Sequence, residues 1–260
     1  KLHGGMSYGQ RTIEGRITMK AIDKCMITLK ALFRKNFSPA TIESIKKFLG
    51  RRKFDEVDVI YTVVADKINS KVMIDVGAHY GESFGSFIFD GWDIYAFEPD
   101  SENMKILNLF ANSRGKLVLD KRACGNNSAK NQPFFRSDVS SGISSLSSFH
   151  SSHFSADQVD TVTLSDYVEE QQITEIGFLK IDTEGHDLFV LQGVPWEKVK
   201  PEIIVCEFED RKTEKLGYAF KDLANFLEER GYKVLVSEWA PITEYGQSHT
   251  WKQLREYPCS

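Results

Sequence analysis

Cysteine is scarce in this chain and poorly placed for chemistry. Cys25, Cys124, Cys206 and Cys259 lie far apart, and no CxxC pair occurs. Neither a zinc knuckle nor a disulfide framework is signalled, so free thiols in a reducing cytoplasm are the expectation. Long apolar runs are also missing. The longest stretch without a charge, residues 139–156, is mostly serine and cannot span a bilayer. No secretory hydrophobic segment is visible. Positive charge is not in excess: 33 Lys and Arg against 37 Asp and Glu leave a net charge of −4, so a globally basic nucleic-acid binder is not expected.

What is present suffices for one sizeable core. Of 260 residues, 41% are hydrophobic and 27% charged, which argues for one domain with a small appendage and against wholesale disorder. Residues 1–18 contain Ile13-Glu14-Gly15-Arg16, the pattern of a protease-cleavage linker, and are set aside. Residues 19–70 read as a basic helical arm. Ile22, Met26, Leu29, Leu32 and Phe33 fall near helical spacing, and Ser38-Pro39 fits the cap and first position of a second helix. Between Lys30 and Lys53 eight basic residues accompany one acid, Glu43. Either the apolar stripe packs on the main domain with a solvated basic face, or the arm makes peripheral contact with a membrane or another anionic surface.

Residues 71–260 alternate strand and helix signals. Val72 to Val76, Asp93 to Phe97, Lys116 to Leu119, Gly177 to Ile181, Glu202 to Cys206 and Lys233 to Val236 read as strands. Helix-like runs follow several of them, one opening at Ser101 as cap and one running from Tyr218 to Arg230. Continuous apolar strands in this alternation predict an α/β fold with a parallel sheet covered on both faces. One segment interrupts the pattern: from Ser137 to Ser155, ten of nineteen residues are serine. A long loop in a compact domain is a lid or an insertion, and Ile143 and Leu146 within it predict that it docks.

Ligands of open parallel sheets bind beyond the carboxyl ends of the strands. The first strand ends Asp75-Val76-Gly77-Ala78-His79-Tyr80-Gly81, whose GxxxG spacing does not meet the dinucleotide fingerprint. Asp75 there would repel a pyrophosphate and attract a cation, which disfavours a nicotinamide-dependent oxidoreductase. The second strand ends in Glu98, suited to accept hydrogen bonds from both hydroxyls of a ribose. Asp182, Glu184, His186 and Asp187 crowd the turn after Ile181, and Glu207, Glu209 and Asp210 end the next strand. Crowded carboxylates raise one another's pKa, which makes them candidates for base or metal work, or else they cap a helix neutralised by Lys180.

Taken together, DVGAHYG, AFEPD, RACGN, TLSDYV, FLKIDTEGHDLFVLQG and IIVCEFE resemble the FkbM-type S-adenosylmethionine-dependent methyltransferases over about residues 70 to 237. The resemblance implies a class I methyltransferase (Rossmann-like) fold: a seven-stranded, mostly parallel sheet with a final antiparallel strand and helices on both faces. It implies O-methylation of hydroxyls on sugars, glycans or polyketide-type natural products. It places the cofactor against Asp75, Gly77, His79 and Gly81, against Glu98 and Pro99, and against Ala123 and Asp182. The family commonly carries Asn where this chain has His79. Asp182 and Glu184 match the acids near the reacting centre, with His186 a further candidate base at an ordinary pKa near 6.5. Ser144 and Ser145 resemble the family's serine motif and, with His153 and Glu207, are the substrate-side candidates. Hard oxygen ligands on Asp182, Glu184, Glu207 and Glu209 could hold Mg²⁺ and a substrate diol, but no metal is predicted. Trp239, Pro241, Tyr245, His249 and Trp251 form either a sugar-stacking surface or a buried cover for the last strand. The rival reading is a non-catalytic glycan- or membrane-binding module. Oligomeric state and acceptor identity are not legible.

Overall fold

The computed structural model describes residues 56–137, 141–241 and 250–258. The linker-like residues 1–18, the basic arm through residue 55, and Tyr245 and His249 lie outside the described residues.

Five strands form the central sheet: β1 (Val72–Val76), β2 (Asp93–Phe97), β3 (Leu117–Asp120), β7 (Phe178–Ile181) and β8 (Ile203–Cys206). Their order is β3-β2-β1-β7-β8, and every neighbouring pair is parallel. The chain steps outward from β1 to β3, then returns to the other side of β1, so the switch point lies between β1 and β7. Side chains alternate across the pleat. Ile74, Val76, Tyr95, Phe97, Leu179 and Ile181 enter one core with α4 (Leu164–Glu170), α5 (Asp187–Gln192) and α7 (Phe220–Glu228). Met73, Ile94, Ala96 and Phe178 enter the other with α1 (Glu56–Val64), α2 (Gly85–Phe89) and α3 (Ser101–Leu107). Trp92, Phe84 and Phe87 are fully buried in that second layer. A short helix, α6 (Asp210–Thr213), follows β8. Among the described residues no helix is long and apolar enough to cross a membrane.

The sheet has five strands where the resemblance implies seven. β9 (Leu235–Trp239) pairs antiparallel with β10 (Trp251–Glu256) in a ribbon of its own. One edge of β9 pairs with β10, and two of its side chains reach α1: Glu56 accepts from the Ser237 hydroxyl at 2.7 Å and from the Trp239 indole. A third sheet, β4-β6-β5, consists of β4 (Ala123–Cys124), β5 (Ala129–Ser137) and β6 (His153–Val162). The serine-rich segment connects β5 to β6. Ile143 in it is buried, and Ser145 exchanges backbone hydrogen bonds with Phe135 at 2.9 and 3.0 Å, so the segment does dock.

Candidate active site

A cavity of about 160 Å³ opens at the carboxyl edge of β1, β2 and β7. Gly77 and His79 contribute from the turn after β1, Glu98 and Pro99 from the end of β2, and Ala123 from β4. Asp182, Glu184 and His186 close it from the turn after β7, and Ser144, Ser145 and Leu146 from the serine segment. These eleven residues, all singled out from sequence, thus surround one volume.

The turn after β1 is shaped by close approach of main chains. Gly77 has φ +80°, and a Cβ there would lie 2.0 Å from the carbonyl oxygen of Asp182. The glycine makes room for the neighbouring strand end, which the sequence reading assigned to a ligand. Gly81 is likewise internal: a Cβ would lie 2.7 Å from Phe84 Cζ, and Gly81 does not line the cavity. His79 sits at φ 48°, a left-handed conformation that histidine tolerates better than most residues, with its ring 3.7 Å from that of Tyr80. Burial lowers its pKa to about 4 and keeps the imidazole neutral.

Asp75 lies below the cavity and has no surface of its own. It is the register partner of Lys180, and the Lys180 ammonium stands 3.3 Å from its carboxylate, 2.7 Å from Gly77 O and 3.5 Å from Asp182. The Ser83 hydroxyl donates to the other Asp75 oxygen. The expectation that Asp75 faces a cationic ligand gives way to a buried ion pair tying β1 to β7. Burial opposes the charge of Lys180, but Asp75 and Asp182 outweigh it and hold the ammonium protonated.

Glu98 is buried and accepts from the backbone amides of His79 and Asp100, both at 2.8 Å. Desolvation dominates and pushes its pKa up to about 7. The two amides and the Asn103 side chain take three of its four lone-pair positions, so the carboxylate keeps room for one further donor.

The acids after β7 and β8 converge. Carboxylate oxygens of Asp182, Glu184 and Glu207 lie within 4.8 Å of one another. Glu184 is buried at φ 57°, while the Asp182 and Glu207 side chains stay 40% and 39% exposed. Into this cluster projects Lys212 of α6, whose ammonium is 2.6 Å from Glu184, 2.7 Å from Glu207 and 3.5 Å from Glu209. Enclosure in the cleft disfavours the charge of Asp182, but Lys180 and Lys212 override it and hold the pKa below the usual range. Burial, then the neighbouring carboxylates, push Glu184 well up and Glu207 to about 7. Lys212 has no assigned role in the sequence reading, because a lysine three residues after Glu209 looks like a surface pair.

Two histidines take different parts from those expected. His186 bonds the Ser147 hydroxyl through Nε2 at 2.7 Å, and burial lowers its pKa to about 4, too low for an effective base at neutral pH. His153 is outside the cavity. Its Nε2 donates to Ile143 O at 2.8 Å and its Nδ1 accepts from the Phe149 amide at 3.3 Å, so both nitrogens brace the serine segment.

A parallel sheet whose switch-point cavity joins a buried strand-end acid, a glycine turn and a carboxylate cluster has the arrangement of an α/β enzyme site. The methyltransferase FkbM domain matches residues 75–234, and the chain belongs to that family of methyltransferases. The precorrin-6y C5,15-methyltransferase from Geobacter metallireducens GS-15 is a structural neighbour at TM-score 0.40 and 13% identity, covering 78% of this chain and 86% of its own. No curated protein matches the chain.

Proposed function

We propose that the protein is an S-adenosylmethionine-dependent O-methyltransferase acting on a hydroxyl of a sugar, glycan or glycosylated natural product in the cytoplasm. The observation that carries the cofactor half of this reading is Glu98, a buried carboxylate at the end of β2 that lines the cavity and keeps one acceptor position for a ribose hydroxyl. The residues fit the group: Glu98 would take the ribose, the Gly77–His79 turn the amino-acid portion, and Ala123 and Phe134 an apolar base edge. When bound, S-adenosylmethionine supplies a methyl group on a sulfonium. The chain itself then has to align an acceptor oxygen and receive its proton, and alignment is the larger contribution. Glu207 titrates near neutrality and is partly exposed, so it can accept a hydroxyl proton, while the ionised Asp182 beside it can orient the hydroxyl. His79 and His186, both neutral, add no positive charge that would repel a cationic ligand.

Calorimetry with S-adenosylmethionine tests the cofactor half, with binding expected and Glu98→Ala expected to abolish it. Tight binding of NAD with none of S-adenosylmethionine would overturn it. The acceptor half is tested by mass spectrometry of glycans and small metabolites from cells with and without the protein, where products should carry one extra methyl. Cofactor binding without any methylated product would instead support the non-catalytic module.

A further inference from the structure

Asp182, Glu184 and Glu207 have the spacing of a divalent cation site, yet two of the three already share the ammonium of Lys212. An ammonium has three donors, and Lys212 meets three carboxylates, those of Glu184, Glu207 and Glu209. Its side chain is 2% exposed, a burial that lysine adopts only when paired. The fold is shaped around it. Gly185 stands at φ +102°, and a Cβ there would lie 2.9 Å from Lys212 Cβ and 3.0 Å from Lys212 O, so both the backbone and the close approach of Lys212 suit glycine. Tyr218 fixes the same turn by donating to Gly185 O at 2.7 Å. The Phe149 ring of the serine segment lies 5.9 Å from the ammonium and shields it. The remaining titratable groups around the cluster include Asp182, held by Lys180, the buried Asp187, whose pKa burial raises to about 6, and Arg211, which pairs with Glu209.

We propose that the Lys212 ammonium is the resident cation of this cluster: it positions Glu184 and Glu207 beside the cavity and fills the place a divalent metal would take, so that methyl transfer proceeds without a metal ion. The proposal rests on the methyltransferase reading above. Lys212 is a positioning residue in it, acting on the acceptor's proton only through the carboxylates it holds.

Mn²⁺ is the probe, since hard oxygen ligands accept it and its spin resonance signal is lost on binding. Wild-type protein should leave Mn²⁺ free at millimolar concentration, and Lys212→Met should bind it at least tenfold more tightly. Lys212→Arg should behave as wild type. Carboxyl-detected NMR supplies a second readout: the Glu207 midpoint should move upward in Lys212→Met and stay in place in Lys212→Arg. Micromolar Mn²⁺ binding by wild type, removed by Glu207→Gln, would overturn the proposal. An unmoved Glu207 midpoint with Mn²⁺ still free in Lys212→Met would also overturn it. Should Lys212→Met not fold, the wild-type titration decides alone. Absence of S-adenosylmethionine binding sinks the methyltransferase reading and leaves the Mn²⁺ result interpretable.

Discussion

Glu98 accepts two amide hydrogens and is held half-protonated near neutrality, with a pKa of about 7. A hydroxyl donated by a ribose favours its ionised form, so binding should release a proton wherever Glu98 starts protonated. Affinity for S-adenosylmethionine should therefore rise from pH 5 to pH 7 and level off above pH 8. Calorimetry in two buffers of different ionisation enthalpy reads the proton release directly. In Glu98→Gln the pH dependence should vanish, and binding should weaken by roughly 10–100-fold, because an amide cannot accept from both His79 and Asp100 and also from the ligand. Flat affinity across this range in the wild type would place the ribose elsewhere. Asp75 behaves differently. Removing it would leave Lys180 short of a partner in the core, so its loss is expected to act on folding before it acts on binding.

The serine segment acts as one element, and its anchors are not its serines alone. His153 bonds Ile143 O and the Phe149 amide, and the Ser145 hydroxyl reaches Glu184 O at 3.2 Å. His153→Ala should free the segment, so limited proteolysis should cut within 138–152 several times faster while the far side of the sheet stays protected. Unchanged cleavage would show that Ile143 and Ser145 hold it unaided. At this scale the sequence was legible where the pattern is repetitive. The five apolar strands of the central sheet fall within a residue or two of their expected places, because burial on both faces demands continuous apolar runs. The long pair β5–β6 was not legible. Asn131 at φ 54°, Pro133 and two bulges break its alternation, and its partner begins in a serine-rich stretch. The cap of α3 shifted by one residue: the Asp100 side chain, not Ser101, accepts from the Glu102 amide at 2.7 Å. The motif residues fall at the strand ends that border the cavity, but the motifs do not say which side chains face inward. Asp75 and Gly81 proved internal, and Lys212 was hidden by its resemblance to a surface charge.

Opposed titrations set the pH response of the whole molecule. His79 and His186 have folded pKa values of about 4, below the usual 6.5, so their contribution is full above pH 6.5 and is lost as pH falls through 4. Glu98 and Glu207 are raised to about 7, so theirs is full below the ordinary carboxyl range and is lost as pH rises through 7. Glu207→Gln isolates one side of this balance. Its melting temperature relative to wild type should become more positive between pH 5 and pH 8, and a constant difference in calorimetric scans would contradict the raised pKa.

The Gly77 turn has a further consequence, for synthesis on the ribosome. Phe97 and Glu98 of the second strand hold its amides, but its close approach to the Asp182 carbonyl and its bond to the ammonium of Lys180 involve residues more than a hundred positions downstream. β1, β2 and β3 can emerge and pair early, whereas the far wall of the turn waits for β7, and the carboxylates wait longer still for Lys212. Contacts of such separation close slowly. A chain that ends before β7 carries Gly77, His79 and Glu98 but neither Asp182 nor Glu184, so the carboxylate wall of the cavity is the last part of it to be made.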